Sequence, residues 1–130
     1  MILDTSFVID LLRGKPKAVD KLKELEERGE PLYVTAPTIY ELYLGIQLSK
    51  IPRRERARIE EALEGQPVLP LDAKAAQLAG KLQGELMNKG QPIDPIDALI
   101  AGVAVANQEA IVTRNVKHFE RIEGLSVEGY

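Results

Sequence analysis

The segment Met1-Ile-Leu-Asp-Thr-Ser-Phe-Val-Ile-Asp-Leu-Leu-Arg-Gly14 opens with three apolar residues that stop at a carboxylate, Asp4. The period then changes. Phe7, Val8, Leu11 and Leu12 fall at helical spacing, with Thr5 and Ser6 as the expected caps and Arg13-Gly14 as the stop. A short apolar strand feeding directly into an amphipathic helix is one step of an alternating β–α chain.

The same pattern recurs along the sequence. Strands are predicted at Leu32-Tyr33-Val34, Pro67 to Leu71, Ala110 to Thr113 and Leu125 to Glu128. Helices are predicted from Pro16 to about Arg28, from Pro37 through Ile46, from Arg53 to Leu63 and from Ala73 to Lys89. Two more follow, Ile96 to about Gln108 behind the cap Asp94-Pro95, and a short one that Asn115 caps, running to Arg121. Short continuous apolar strands alternating with helices predict an α/β sandwich with a mainly parallel sheet. No repeat or linker divides the 130 residues, so one domain spanning 1–130 is expected.

Composition removes several function classes. There is no cysteine and one histidine, His118, so disulfide frameworks, iron–sulfur clusters, thiol nucleophiles and the usual zinc sites are excluded. No serine sits in a G-x-S-x-G elbow. The apolar run Ala98 to Ala106 covers nine residues, about half a membrane span. Asp4 and Asp10 interrupt the N-terminal apolar stretch, which therefore does not read as a signal peptide, and a cytoplasmic location without membrane contact is expected. The net charge of −3 speaks against a nucleic-acid partner only if the acids are spread evenly.

They are not spread evenly with respect to the predicted elements. In open α/β sheets ligands bind at the carboxyl ends of strands. There the sequence places Asp4 after the first strand and Glu41 early in the helix after the second. Asp97 lies in the first turn of the Ile96 helix, and Asn115 follows the fourth strand. Asp97 is flanked by Ile96, Ala98, Leu99 and Ile100, and Asp4 follows three apolar residues, so each carboxylate faces a desolvation cost unless a cation or donors meet it. Oxygen donors without histidine or cysteine suit Mg²⁺ or Mn²⁺. Asp94 reads first as a helix cap, three residues before Asp97.

These residues resemble a known family. Met1-Ile-Leu-Asp4-Thr5-Ser6 with Ile9 to Gly14, Thr38 to Gly45 containing Glu41, Pro92 to Ala101 containing Asp97, Val112-Thr113-Arg114-Asn115 with His118-Phe119, and Ile122 to Val127 occur in the order found in PIN-domain ribonucleases of the VapC toxin type. The resemblance implies a PIN-like three-layer α/β/α sandwich. It also implies a Mg²⁺- or Mn²⁺-dependent endoribonuclease that hydrolyses RNA phosphodiester bonds, leaving 3′-hydroxyl and 5′-phosphate ends. The partners it implies are an RNA substrate, a VapB-like antitoxin that inserts a basic side chain among the acids, and a second copy of the chain in a homodimer. By the same resemblance Asp4, Glu41 and Asp97 are catalytic and metal-binding, while Ser6, Asp94, Thr113 and Asn115 support them. Asn115 stands where many PIN domains carry a fourth acid.

Other features carry weaker signals. Arg53, Arg54, Arg56 and Arg58 form a run that suits an RNA or antitoxin contact, or a solvated helix face. Arg13, Lys15 and Lys17 form a smaller cluster. His118 is expected on a helix surface away from the acids, and Ile39, Tyr40, Tyr43 and Ile46 are expected to supply apolar dimer surface. Two alternatives share the acid set: a PIN nuclease of housekeeping RNA processing, and a non-catalytic PIN-like scaffold. A receiver domain would need an adjacent acid pair, and a haloacid-dehalogenase-like domain Asp-x-Asp, where this chain has Asp4-Thr5-Ser6.

Overall fold

The computed structural model describes residues 1–130. In chain order the elements are β1 (Ile2–Leu3), α1 (Thr5–Leu12), α2 (Pro16–Glu27), β2 (Val34–Thr35), α3 (Ala36–Leu48) and α4 (Pro52–Leu63). There follow β3 (Val68–Leu69), α5 (Ala73–Asn88), α6 (Pro95–Ala106), β4 (Ile111–Val112), α7 (Val116–Phe119) and β5 (Val127–Glu128). The helices match the sequence expectation to within a few residues, whereas each strand is shorter than the apolar run that announced it.

β4 pairs with both β1 and β5, β2 pairs with β3, and a bridge from Ile2 to Tyr33 joins the two sets. The strand order is therefore β3-β2-β1-β4-β5, and every pairing is parallel. β1 lies in the middle. Its two residues point to opposite faces, as successive strand residues must. Ile2, opposite Ile111, joins the core beneath α5, α6 and α7, while Leu3, opposite Val112, joins the core beneath α1 to α4. Helices thus cover both faces of the sheet, giving three layers.

Local sequence explains the helix starts. Asp72 accepts from the Ala75 amide at 2.9 Å, Asp94 from the Ile96 amide at 2.9 Å, and Thr35 from the Thr38 amide at 3.3 Å. Thr5 and Ser6 depart from expectation. They lie inside the first turn of α1, Asp4 occupies the cap position without a side-chain capping bond, and both hydroxyls are turned to side chains instead. At the far edge of the sheet, Glu128 on β5 is held by Arg28 at 2.9 Å and Lys21 at 2.9 Å from α2. The Arg28 hydrogen bond, then that of Lys21, pulls the Glu128 carboxyl down to about 2.

α6 is lined by small residues that let α5 approach closely. A β-carbon built at Gly102 would lie 2.5 Å from the Ala75 carbonyl oxygen and 2.8 Å from Ala79. Backbone cannot give way there as a flexible side chain would. Gly102→Ala is expected to destabilise the protein by about 1–3 kcal/mol despite its favourable helix propensity. Urea unfolding would measure this, and a stabilised variant would show that the two helices are not in rigid contact.

Candidate functional site

The acids meet at the carboxyl edge of the central strands. Asp4 leaves β1 with its amide bonded to the Val112 carbonyl of β4 at 3.0 Å, and its side chain is only 2% exposed. Ser6 and Thr113 each donate a hydroxyl to Asp4 Oδ2, at 2.7 and 2.8 Å. Each hydroxyl has one proton, so both donors are fully used on this one oxygen. Thr113 Oγ1 in turn accepts the Asn115 amide at 2.9 Å, and Ser6 Oγ accepts the Arg114 amide at 3.2 Å, which ties the turn after β4 to the start of α1. The other carboxylate oxygen, Asp4 Oδ1, is buried and has no hydrogen-bond partner.

Glu41, half-buried on α3, is fixed by a chain of three threonines. Thr35 donates to Thr38 at 3.3 Å, Thr38 and Thr5 are 2.9 Å apart, and Thr5 donates to Glu41 Oε1 at 2.7 Å. Because Thr5 spends its proton on Glu41, Thr38 is the donor to Thr5, and the chain polarises in one direction. Oε2 of Glu41 is left without a protein partner. Asp97, in the first turn of α6, is contacted by His118, with Nδ1 3.1 Å from Oδ2.

His118 therefore corrects the sequence expectation. It is on the surface, but it is not away from the acids. Its position one turn after Asn115 was the available signal, since that spacing returns a helical side chain to the same edge. Thr5 and Thr38 were likewise missed as the residues that hold Glu41.

Burial raises the Glu41 carboxyl above its ordinary value, opposed by the Thr5 hydrogen bond and reinforced by the charges of Asp4, Asp97 and Asp94. Burial also raises Asp97, with Asp4 and Asp94 adding to the shift and His118 opposing it. Asp94 acts here through its charge, because its own Oδ1 is engaged in capping α6. The Asn115 side chain makes no hydrogen bond and does not cap α7.

As they stand, no three acidic or histidine side chains form a closed group able to hold a metal ion. The donor set nevertheless fits a hard divalent cation. Mg²⁺ is usually held by one or two carboxylates with waters and substrate phosphates completing its shell, so a full protein cage is not required. The unpartnered Asp4 Oδ1 and the repulsion from neighbouring acids, which adds to burial in raising Glu41 and Asp97, are the two features a bound cation would relieve.

The arginine run divides. Arg58 donates to the Leu12 carbonyl at the end of α1 and lies 3.7 Å from Glu55, so it ties α4 to α1 while its side chain stays 41% exposed. Arg56 lies over the Tyr43 ring, 5.8 Å from its centroid. Only Arg53 and Arg54 are exposed without partners. Beside Glu41, the side chains of Arg13, Glu55 and Arg58 with Ile9, Leu42 and Ile59 line a cleft of about 370 Å³. The predicted apolar face also needs correction, since Ile46 is in the core at 1% exposure. The exposed stripe on α3 is Tyr40, Leu44 and Leu48, four residues apart and so on one face, with Tyr43 beside it.

A parallel α/β/α sandwich with this acid set at its carboxyl edge matches the PIN domain, over residues 1–125. The chain belongs to the PIN-domain family. It is 35% identical over 129 residues to the tRNA(fMet)-specific endonuclease VapC of Shigella flexneri, covering 99% of this chain and 96% of that protein. That identity over nearly full length puts the chain in the VapC group of the family. Among solved structures, VapBC2 from Rickettsia felis bound to a promoter DNA fragment gives a TM-score of 0.90 at 26% identity, with 99% of this chain and 97% of that one covered. DNA-bound VapBC from Salmonella typhimurium gives 0.88 at 32% identity, with 98% and 96% covered.

The upward shifts have a consequence for folding. Ionising Glu41 and Asp97 costs stability; this cost is absent below their ordinary pKa values, grows as pH rises from those to the raised ones and is complete above them. Asp97→Asn is therefore expected to raise the melting temperature in chelator at pH 7 by about 2–5 °C, the gain disappearing below about pH 4. Thermal melts at both pH values test this. An equal gain at each would mean the charge of Asp97 is not strained.

Proposed function

We propose that the protein is a Mg²⁺- or Mn²⁺-dependent endoribonuclease, the toxin of a VapBC-type pair whose antitoxin is VapB-like. The carrying observation is the buried Asp4 carboxylate with one oxygen unpartnered, next to Glu41 and Asp97 at the carboxyl edge of the sheet. Asp4 and Asp97 would hold the cation, with Glu41 joining them directly or through water. When bound, the cation would lower the pKa of water and neutralise charge developing on the phosphoryl oxygens.

The remaining work falls to side chains. Glu41, with its carboxyl raised by burial and Oε2 free, is suited to take the proton of the attacking water, since a base is most effective when its pKa approaches the working pH. The water oxygen bonds to phosphorus as the bond from phosphorus to O3′ breaks. The products are a 5′-phosphate and a 3′-hydroxyl, the latter protonated from solvent. Thr5 keeps Glu41 in one rotamer, and Ser6 and Thr113 keep Asp4 aimed at the same place. The housekeeping alternative uses the same chemistry; that the structural relatives are VapBC complexes favours the toxin role.

A VapB-like antitoxin is expected to inhibit by placing a basic side chain against the acids. The homodimer is supported by the exposed stripe Tyr40, Leu44 and Leu48, which continues into an apolar groove formed by Pro37, Leu71, Ile96 and Leu99.

Asp4→Asn and Asp97→Asn should each lower the rate of RNA cleavage in Mg²⁺ by at least about a hundredfold. Wild-type cleavage by Asp97→Asn would reject the assignment. Light scattering at micromolar concentration should give twice the mass of one chain, falling to one chain in Leu48→Asp. A monomeric wild-type protein would remove the dimer.

A further inference from the structure

A second cleft, lined mostly by charged residues, opens beside the turn after β4 and the end of the chain after β5. It has a volume of about 560 Å³ and is lined by Asp10, Lys15, Pro16, Lys17, Arg114 and Tyr130. We infer that this cleft seats a backbone phosphate of the RNA strand flanking the bond that is cut, with Lys15, Lys17 and Arg114 as its ligands. The inference rests on the nuclease reading above and extends it to how the strand is held.

Position is the first support. Arg114 sits between Thr113, which donates to Asp4, and Asn115, and its amide bonds to Ser6. The cleft is thus tied to the acid set through the turn after β4, at the strand ends where open α/β sheets bind ligands. Asp10 lies six residues along α1 from Asp4, about 9 Å of helix rise.

Charge is the second. Asp10, 4% exposed, is already satisfied, with Arg114 Nη1 on Oδ1 at 2.8 Å and the Tyr130 hydroxyl on Oδ2 at 2.6 Å. It therefore cannot also neutralise the lysines. Lys15 and Lys17 are exposed, and neither has a carboxylate within 4 Å. The Arg114 side chain remains 52% exposed even while bonded to Asp10. The cleft floor is an ion pair close to neutral, and its walls carry two ammonium groups that form no ion pair.

Need is the third. Asp4, Glu41, Asp94 and Asp97 repel a polyanion at the point where it must be cut. The strand has to gain its attraction beside them. On the α4 side Arg58 and Arg56 are engaged within the protein and Arg53 and Arg54 are exposed, whereas Lys15 and Lys17 are unengaged beside the turn that carries Thr113.

The test uses Lys15→Ala/Lys17→Ala in the full chain, with Lys74→Ala/Lys89→Ala on and just after α5 as a control that removes the same charge away from the cleft. Arg114 is left in place, since its loss would strand Asp10 buried and unpaired. Binding of a labelled single-stranded RNA dodecamer is followed against salt in an Asp97→Asn background. Losing the hold on that one phosphate should reduce the magnitude of the log–log salt slope by about 0.7, and the control should change it far less. In the cleaving enzyme KM should rise roughly tenfold while kcat holds, the signature of lost uniform binding. An unchanged slope and KM, or a control that matches the lysine pair, overturns the subsite while wild-type cleavage leaves the nuclease reading standing. Absence of metal-dependent cleavage in the wild type would overturn that reading itself. If the lysine pair weakens only the grip on the antitoxin and leaves RNA binding intact, the cleft is a protein contact and the proposal fails.

Discussion

The half-satisfied carboxylate of Asp4 is the constraint around which the active edge is built. The sheet ladder fixes its backbone on both sides, through Leu3 to the Tyr33 carbonyl and Asp4 to the Val112 carbonyl. The side chain therefore has no freedom to escape to solvent. Ser6 and Thr113 compensate one oxygen and nothing compensates the other. A buried charge with a missing partner is costly, and a fold keeps such a group when a ligand completes it. Burial raises the carboxyls of Glu41 and Asp97, and the charge of Asp4 adds to both shifts.

The fold was legible in the sequence because its signals are local. Apolar strands, prolines at helix starts, and Asp72 and Asp94 as caps all act within a few residues, and the structure places the helices accordingly. Asp4 and Asp97 were legible through their apolar surroundings and their place after strands, Glu41 through its place alone. What escaped was tertiary. Thr5 and Ser6 have the chemistry of caps, but the cap position fell to Asp4 and left their hydroxyls pointing at acids. Periodicity along α3 cannot say which of two apolar stripes meets the core, so Ile46 was placed on the surface that Leu44 and Leu48 occupy. Arg58 was indistinguishable from Arg53 and Arg54 until α4 was laid against the end of α1.

Asp97 shows how precision is obtained at such a site. It stands at the start of α6, whose Ala98, Ala101, Gly102 and Ala104 are all fully or almost fully buried. Small side chains bring α5 and α6 into backbone contact, which leaves α6 little room to slide and fixes the height at which Asp97 is presented. Close helix packing and strained acid placement are thus linked: the first supplies the stability that the second consumes.

The distribution of charge resolves why a chain of net charge −3 is compatible with a polyanionic substrate. The carboxylates that dominate locally are gathered at the strand ends, where the proposed cation would sit, while others are tied into ion pairs such as Glu128 with Lys21 and Arg28. Asp10 is the informative case. It lies in the middle of α1, yet its charge is cancelled by Arg114 from the turn after β4 and capped by Tyr130 beyond β5. Tyr130 also packs edge-on against Phe7, with ring centroids 4.9 Å apart. These contacts join residues from three separate parts of the chain at the border of the acid set, so the removal of one negative charge from that border is built into the tertiary structure. Net charge averages over this arrangement; the potential a bound strand meets depends on which carboxylates remain uncompensated beside it.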